Sequence, residues 1–342
     1  MTIPTTAPSL AVFSHVTEAP PARDSYRSTL DLFAAAESLG YEDTWIRQFH
    51  LRSDDDPSRG GLPSPFVFLA AVAEHTSTIR LGTGVVVLPL ESPVRVAEDA
   101  AVLDALSGGR LQLGLANGGG APGLTDLFAP KRSNDDVQDR KTAYLDDVRH
   151  LKDALDGHEL LPDGQRLNPA APGLTDRIWE ATLSEQSGFD AATRGHGVLL
   201  GTTQTIPAEV TAAAYYRGLP AGVAPRVGIA TAIYPAKDRE TALREARDGI
   251  EAKYAWGESF LPKATTLAEK AASLNLHYGT ADDIAESILS KPYSRFATQL
   301  LVQVEHGYAD FGLRREALAL FASDVAPQLG WHAPARTQGV PA

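Results

Sequence analysis

Residues 80–120 read RLGTGVVVLPLESPVRVAEDAAVLDALSGGRLQLGLANGGG, and the order of segment types in this stretch decides the fold. Residues 79–88 are valine-rich without polar alternation, the pattern of a strand buried on both faces in a parallel sheet. Residues 92–106 have the periodicity of a helix, and Ser107, Gly108 and Gly109 end it. Residues 110–116 are a second apolar strand running into a glycine loop, with a long helix behind it at 135–155. The unit is strand, helix, strand, helix.

The same alternation continues outward. Upstream lie an apolar run at 10–13, a helix at 24–39 stopped by Gly40, a short strand at 44–46, a polar loop at 51–63 and a helix at 66–74. Downstream come 178–183, 187–194, 198–200, 226–233 with 238–255, and finally 300–304 with 316–325. Roughly eight βα units favour a closed (β/α)8 TIM barrel over an open doubly wound sheet. The expected organisation is one barrel domain over residues 1–332 and a flexible C-terminal tail at 333–342, rich in Pro, Gly and Thr. Residues 256–277 read as an irregular insertion with a lid or substrate-gating role, flanked by Trp256, Phe260 and Tyr278.

Composition narrows the function classes. A formal net charge of −12 with scattered acidic residues gives no basis for binding nucleic acid or anionic membranes. The absence of cysteine excludes disulfides, thiolate catalysis and cysteine-based metal centres. None of the nine histidines falls in an H-x-x-x-H or H-E-x-x-H pair, so no metal site is expected. No run approaches the roughly 20 apolar residues of a membrane span and no secretory signal is seen, which makes the cytoplasm the expected location.

The strand, LP turn, PVR-AED helix, SGGR turn and second strand of residues 80–120 resemble the bacterial luciferase and flavin-dependent monooxygenase family. AAAESLGYEDTWIRQFH at 34–50 looks like that family's first helix and second strand, and LALFASDVAPQL at 318–329 like its final helix. The resemblance implies a luciferase-like barrel that binds reduced FMN (FMNH2) noncovalently at the C-terminal ends of its strands. It also implies a non-proline cis peptide at Gly84–Val85, with Thr83 and Gly84 against the flavin ring. Ala116 and Asn117 match positions near the ring and the phosphate. Luciferases carry arginine where this chain has Asn117, so backbone N–H groups from Gly118 onward are expected to substitute in part. Ser184 and Ser187 match the hydroxyls that hold the phosphate, at a helix start whose free N–H groups and dipole favour an anion.

His50 closes the run Trp45, Ile46, Arg47, Gln48, Phe49, where luciferases have Glu-His-His. Gln48 replaces the glutamate and Phe49 the first histidine, to which luciferases assign the base role. Only the second histidine is kept, so a flavin chemistry other than light emission is expected, with His50 as the group that moves a proton. His15, Phe49 and Arg47 are candidate substrate contacts. Arg47, Arg52 and Arg59 surround a loop containing Asp54, Asp55 and Asp56, which also reads as a solvated charged segment.

The reading that follows from the resemblance is a two-component FMN-dependent monooxygenase. Oxygen and a small organic substrate are its reactants, an NAD(P)H:flavin reductase supplies the reduced flavin, and a homodimer forms through the helices at 66–74 and 92–106. An F420-dependent oxidoreductase transferring hydride on the same barrel and a non-catalytic flavin-binding protein are the alternatives. Fold-level analogy does not name the substrate.

Overall fold

The computed structural model describes residues 7–16, 22–51, 61–118, 123–129, 137–203, 205, 207–304 and 311–333. All but residue 333 of the expected tail at 333–342, most of the polar loop after residue 51 and the glycines at 119 and 120 lie outside the described residues. Among the described residues ten strands run in chain order: β1 (Ser9–Ser14), β2 (Asp43–Ile46), β3 (Arg80–Thr83), β4 (Val86–Val87), β5 (Leu111–Ala116), β6 (Ile178–Ala181), β7 (Gly197–Leu200), β8 (Val227–Pro235), β9 (His277–Gly279) and β10 (Gln299–Gln303). Each pairs in parallel with its neighbour, and β10 pairs with both β1 and β8, so the sheet closes. With β4 continuing β3 and β9 set outside on the end of β8, this is the closed eight-stranded (β/α)8 barrel that the alternation predicts.

Period-two alternation sorts each strand's side chains between two cores. Leu10, Val12, Ile46, Val198, Leu200, Leu300 and Val302 pack outward under the helices, while Ala11, Trp45, Trp179, Leu199 and Leu301 fill the barrel. The two indoles meet edge to face at 5.3 Å. They fit because β3 and β7 carry glycine opposite them: a Cβ on Gly82 would lie 2.3 Å from the Trp45 ring, and one on Gly197 2.5 Å from the Trp179 ring. Each buried indole N–H finds a glutamine carbonyl, Trp45 Nε1 donating to Gln299 Oε1 at 2.8 Å and Trp179 Nε1 to Gln112 Oε1 at 2.9 Å. Below them Asp43 takes a two-pronged bond from Arg80, at 2.7 and 2.6 Å. A polar network thus seals the N-terminal end of the barrel, leaving the C-terminal end for chemistry.

The helices relevant to the site are α1 (Ala22–Ser38), α2 (Pro65–His75), α3 (Pro93–Leu106), α4 (Leu124–Phe128), α5 (Val137–Leu155) and α6 (Glu185–Thr193). The insertion expected near residues 256–277 is present, with β9 outside the eight-stranded barrel, but its expected irregular character is corrected. A helix, Arg247–Gly257, is followed by a second, Leu267–Ser273, opened by a capping box between Thr266 and Glu269, and by β9. Trp256 spends its ring on Phe260 at 5.3 Å and on the Lys253 ammonium at 4.9 Å. This is packed structure beside β8, and none of it lines the cavity described below. The expected unbroken strand at 79–88 is also corrected: it divides into β3, β4 and a short 3-10 turn, Leu88–Leu90.

One buried group ties this region to pH. The His277 ring is 1 % exposed, with Nδ1 2.8 Å from Ser287 Oγ. Burial first, and the Lys291 charge second, push its pKa down to about 3. Unfolding therefore takes up a proton at pH values below about 6.5, the ordinary value, so stability falls as pH drops from there towards 3. At pH 5 the loss from this one group is about 2 kcal/mol. His277→Asn, which keeps a polar atom near Ser287, is expected to flatten that acid slope in urea unfolding; an unchanged slope would refute the assignment.

Candidate active site

At the C-terminal ends of β2, β3, β4 and β5 lies a cavity of about 280 Å3, at the lower end of the range for small-molecule sites. One wall is Arg47, Gln48, Phe49 and His50 beyond β2; another is Gly84 to Leu90; the third is Ala116, Asn117 and Gly118 at the end of β5. Leu124 and Thr125 of α4, with Arg140 and Ala143 of α5, close the side.

The register of the strands builds the second wall. Gly82 pairs with Gln112 and Val86 with Leu115, so three residues on one side face two on the other. The bulge at Thr83, Gly84 and Val85 contains the Gly84–Val85 bond, which is cis as the resemblance implies. Thr83 spans the gap in the ladder: its hydroxyl donates to the Gly114 carbonyl at 2.9 Å and accepts from the Gly114 N–H at 2.8 Å. This corrects the expectation for Thr83 as a flavin contact. Its side chain is fully buried, its hydroxyl is engaged, and it supports the wall from behind without lining the cavity.

Gln48 organises the first wall. Its Oε1 accepts from the Val87 N–H at 2.9 Å, while its Nε2 donates to Glu91 Oε1 at 3.0 Å and to the Pro63 carbonyl at 3.2 Å. An amide can accept and donate in this way; a glutamate here would set two carboxylates against each other. Glu91 Oε1 in turn lies 3.9 Å from His50 Nε2. The His50 ring tilts against Phe128 at 4.6 Å, and Nε2 is buried without a hydrogen-bond partner. Burial lowers the pKa of His50 below the ordinary value, and the Glu91 charge offsets this in part. Glu91 and Phe128 were invisible to sequence reasoning, since only packing of the β4 and β5 loops brings them to His50.

On the third wall Asn117 presents a buried Oδ1 with no partner. Gly118 has φ +79°, and a Cβ there would strike Val87 Cγ1 at 2.7 Å, so the two walls approach at a distance only glycine permits.

The remaining candidates fall outside the cavity. Ser184 is the N-cap of α6, its Oγ accepting from the Ser187 N–H at 3.3 Å and donating to the Ser187 hydroxyl at 3.0 Å. The pair stands on the next strand end round the rim, beyond β6. His15 is buried beyond β1, its Nε2 3.2 Å from Gln303 Nε2 and its ring edge-on to Phe13 at 4.8 Å. His50, Gly84, Ala116, Asn117, Gly118, Phe49 and Arg47 thus share one cavity, and Thr83, Ser184, Ser187 and His15 do not line it.

Residues 9–299 match the family model described as luciferase-like monooxygenase. A luciferase-like monooxygenase of Escherichia coli (strain K12) is 29% identical over 207 residues, 57% of each chain. The oxygenase component of a flavin-dependent trigonelline monooxygenase from Acinetobacter baylyi is 30% identical over 132 residues, 36% of this chain and 35% of that one. The chain spans about half the length of the first curated relatives it matches, 54% and 57%. Among solved structures, the monooxygenase RslO1 from Streptomyces bottropensis shares the fold with a TM-score of 0.76 at 23% identity, covering 93% of this chain and 99% of that one.

Proposed function

The chain belongs to the luciferase-like monooxygenase family, and on that premise we propose that it uses reduced FMN and molecular oxygen to oxidise a small organic substrate, the flavin being reduced by a separate NAD(P)H:flavin reductase. The observation that carries the reading is the cavity over the Gly84–Val85 bulge, at the strand ends where barrel active sites form.

The residues present fit a flavin. Gly84 leaves the bulge open toward the cavity, and Ala116 faces it across a strand pair, Val87 with Ala116, that offers a flat apolar surface to a ring. The unpartnered Asn117 Oδ1 and the close approach at Gly118 supply polar atoms at the third wall. Ser184 and Ser187, with the free N–H groups that open α6, would meet the phosphate. When bound, reduced FMN supplies the electrons that activate oxygen. The protein's own tasks are to orient ring and substrate, to keep water out, and to move a proton at His50 Nε2, which burial holds neutral near pH 7.

Titration of flavin-free protein with reduced FMN, oxidised FMN and F420, followed by oxygen-electrode measurements, tests this. Binding of reduced FMN with oxygen uptake is expected. Selective F420 binding without oxygen uptake would transfer the protein to hydride transfer, and binding of none of the three would sink the flavin reading.

A further inference from the structure

Arg47 is a half-buried guanidinium on the cavity wall with no carboxylate within ion-pair distance and no side-chain hydrogen bond among the described residues. It stands over the face of Phe49, the guanidinium carbon lying 5.0 Å from the ring centroid. Other half-buried arginines of this chain hold hydrogen-bond partners, Arg110 and Arg226 on backbone carbonyls and three more on carboxylates. Arg80 is forked onto Asp43, Arg177 onto Asp104 and Arg194 onto Glu180. A buried charge costs free energy unless it is paired or hydrogen-bonded, and each of these arginines has such a partner. Withdrawal from water alone acts on Arg47, holding its pKa below the ordinary arginine value.

We propose that Arg47 is the anchor for an acidic group on the substrate, so that the natural substrate is a small carboxylate or sulfonate. The inference rests on the functional reading above only for the word substrate; the anion site itself stands on the geometry. A planar guanidinium takes a carboxylate or sulfonate through two parallel N–H···O bonds, and the partly dry setting strengthens them. Arg47 and His50 are three residues apart on one wall, so an acid held at Arg47 places the rest of the molecule along Phe49 toward His50. The phosphate of a flavin is the other anion to consider. Its proposed hydroxyls, Ser184 and Ser187, follow β6, whereas Arg47 follows β2, with β3 and β5 between them in the barrel.

The test uses the full chain and binding alone. Benzoate, phenylacetate, hexanoate and benzenesulfonate are titrated by calorimetry beside their neutral amides, on the wild type, Arg47→Met and Arg47→Lys, with reduced FMN titrated on each. Melting temperatures confirm that the variants fold. At least one anion is expected to bind while its amide does not, with affinity falling about 10- to 100-fold in Arg47→Met, partly restored in Arg47→Lys, and FMN affinity unchanged. Binding of no anion, equal binding of acids and amides, or loss of FMN affinity in Arg47→Met overturns the proposal. Failure of FMN to bind the wild type, with anion binding intact, would instead remove the flavin reading and leave the anion site standing.

Discussion

His50→Ala is expected to slow substrate oxygenation about 10²- to 10⁴-fold, the range for removing a positioned proton-transfer group, while reduced FMN still binds with nearly wild-type affinity. The geometry sets both halves of this expectation. Nε2 is buried, without a hydrogen-bond partner and 3.9 Å from Glu91, the ring stands against Phe128, and His50 lies on the β2 wall while Gly84 and Ala116 stand on the other two. The pH profile adds a sharper criterion. Burial lowers the pKa of His50 from 6.5, so the proton-accepting neutral form dominates at pH 7 and is lost only as pH falls through a value below 6.5. The wild-type rate should therefore carry an acid limb there, and His50→Ala should lack it. The Glu91 charge favours the imidazolium, so Glu91→Gln should move that limb further down the pH scale while Gln48 Nε2 keeps an oxygen to donate to. Unchanged turnover in His50→Ala would take this residue out of the mechanism, and an unmoved limb in Glu91→Gln would take Glu91 out of its electrostatics.

The contrast between Arg47 and Thr83 shows where reading residues in order stops being informative. The barrel was legible because apolar strands and amphipathic helices alternate from Ser9 to Gln303, burial on both faces calls for a parallel sheet, and roughly eight such units favour its closure. The cis bond at Gly84–Val85 was legible through family resemblance, but the bulge around it was not, since nothing in the letters Thr-Gly-Val distinguishes a bulge from a continuous strand. Thr83 entered through the resemblance alone, and its side chain turns into the wall because Gly82 takes the barrel face opposite Trp45 and Thr83 follows it in the pleat. Arg47, named both as a candidate substrate contact and among the charges around a polar loop, lines the cavity because it follows the outward Ile46 at the end of β2, two residues after the barrel-filling Trp45. The irregular reading of residues 256–277 failed for a different reason: one seven-residue capped helix and a three-residue strand are each too brief to show a period.

Gly114→Ala is expected to cost at least about 3 kcal/mol, the upper range for overpacking a buried position, and to leave little soluble protein. Its new Cβ would stand 2.0 Å from the Thr83 carbonyl oxygen and 3.2 Å from both Thr83 C and Val85 Cγ1. The obstruction is backbone, so no rotamer change relieves it. To escape, β3 must leave β5, which breaks both bonds between the Thr83 hydroxyl and Gly114 and moves the Gly84 to Leu90 wall. Thr83→Val separates the two consequences. It keeps the shape but strips the partner from the Gly114 N–H and C=O, at a cost of about 1–3 kcal/mol, and with that bridge gone the wall should hold reduced FMN less tightly. Gly108→Ala is the comparison, for a Cβ there meets nothing within 4 Å and only its φ of +68° opposes the change, at about 1 kcal/mol. Urea unfolding of the three variants, with FMN titration of those that fold, reads both effects. A Gly114→Ala protein as stable as the wild type would mean that β3 can shift away from β5 freely, and the wall that the functional reading depends on would then not be a fixed one.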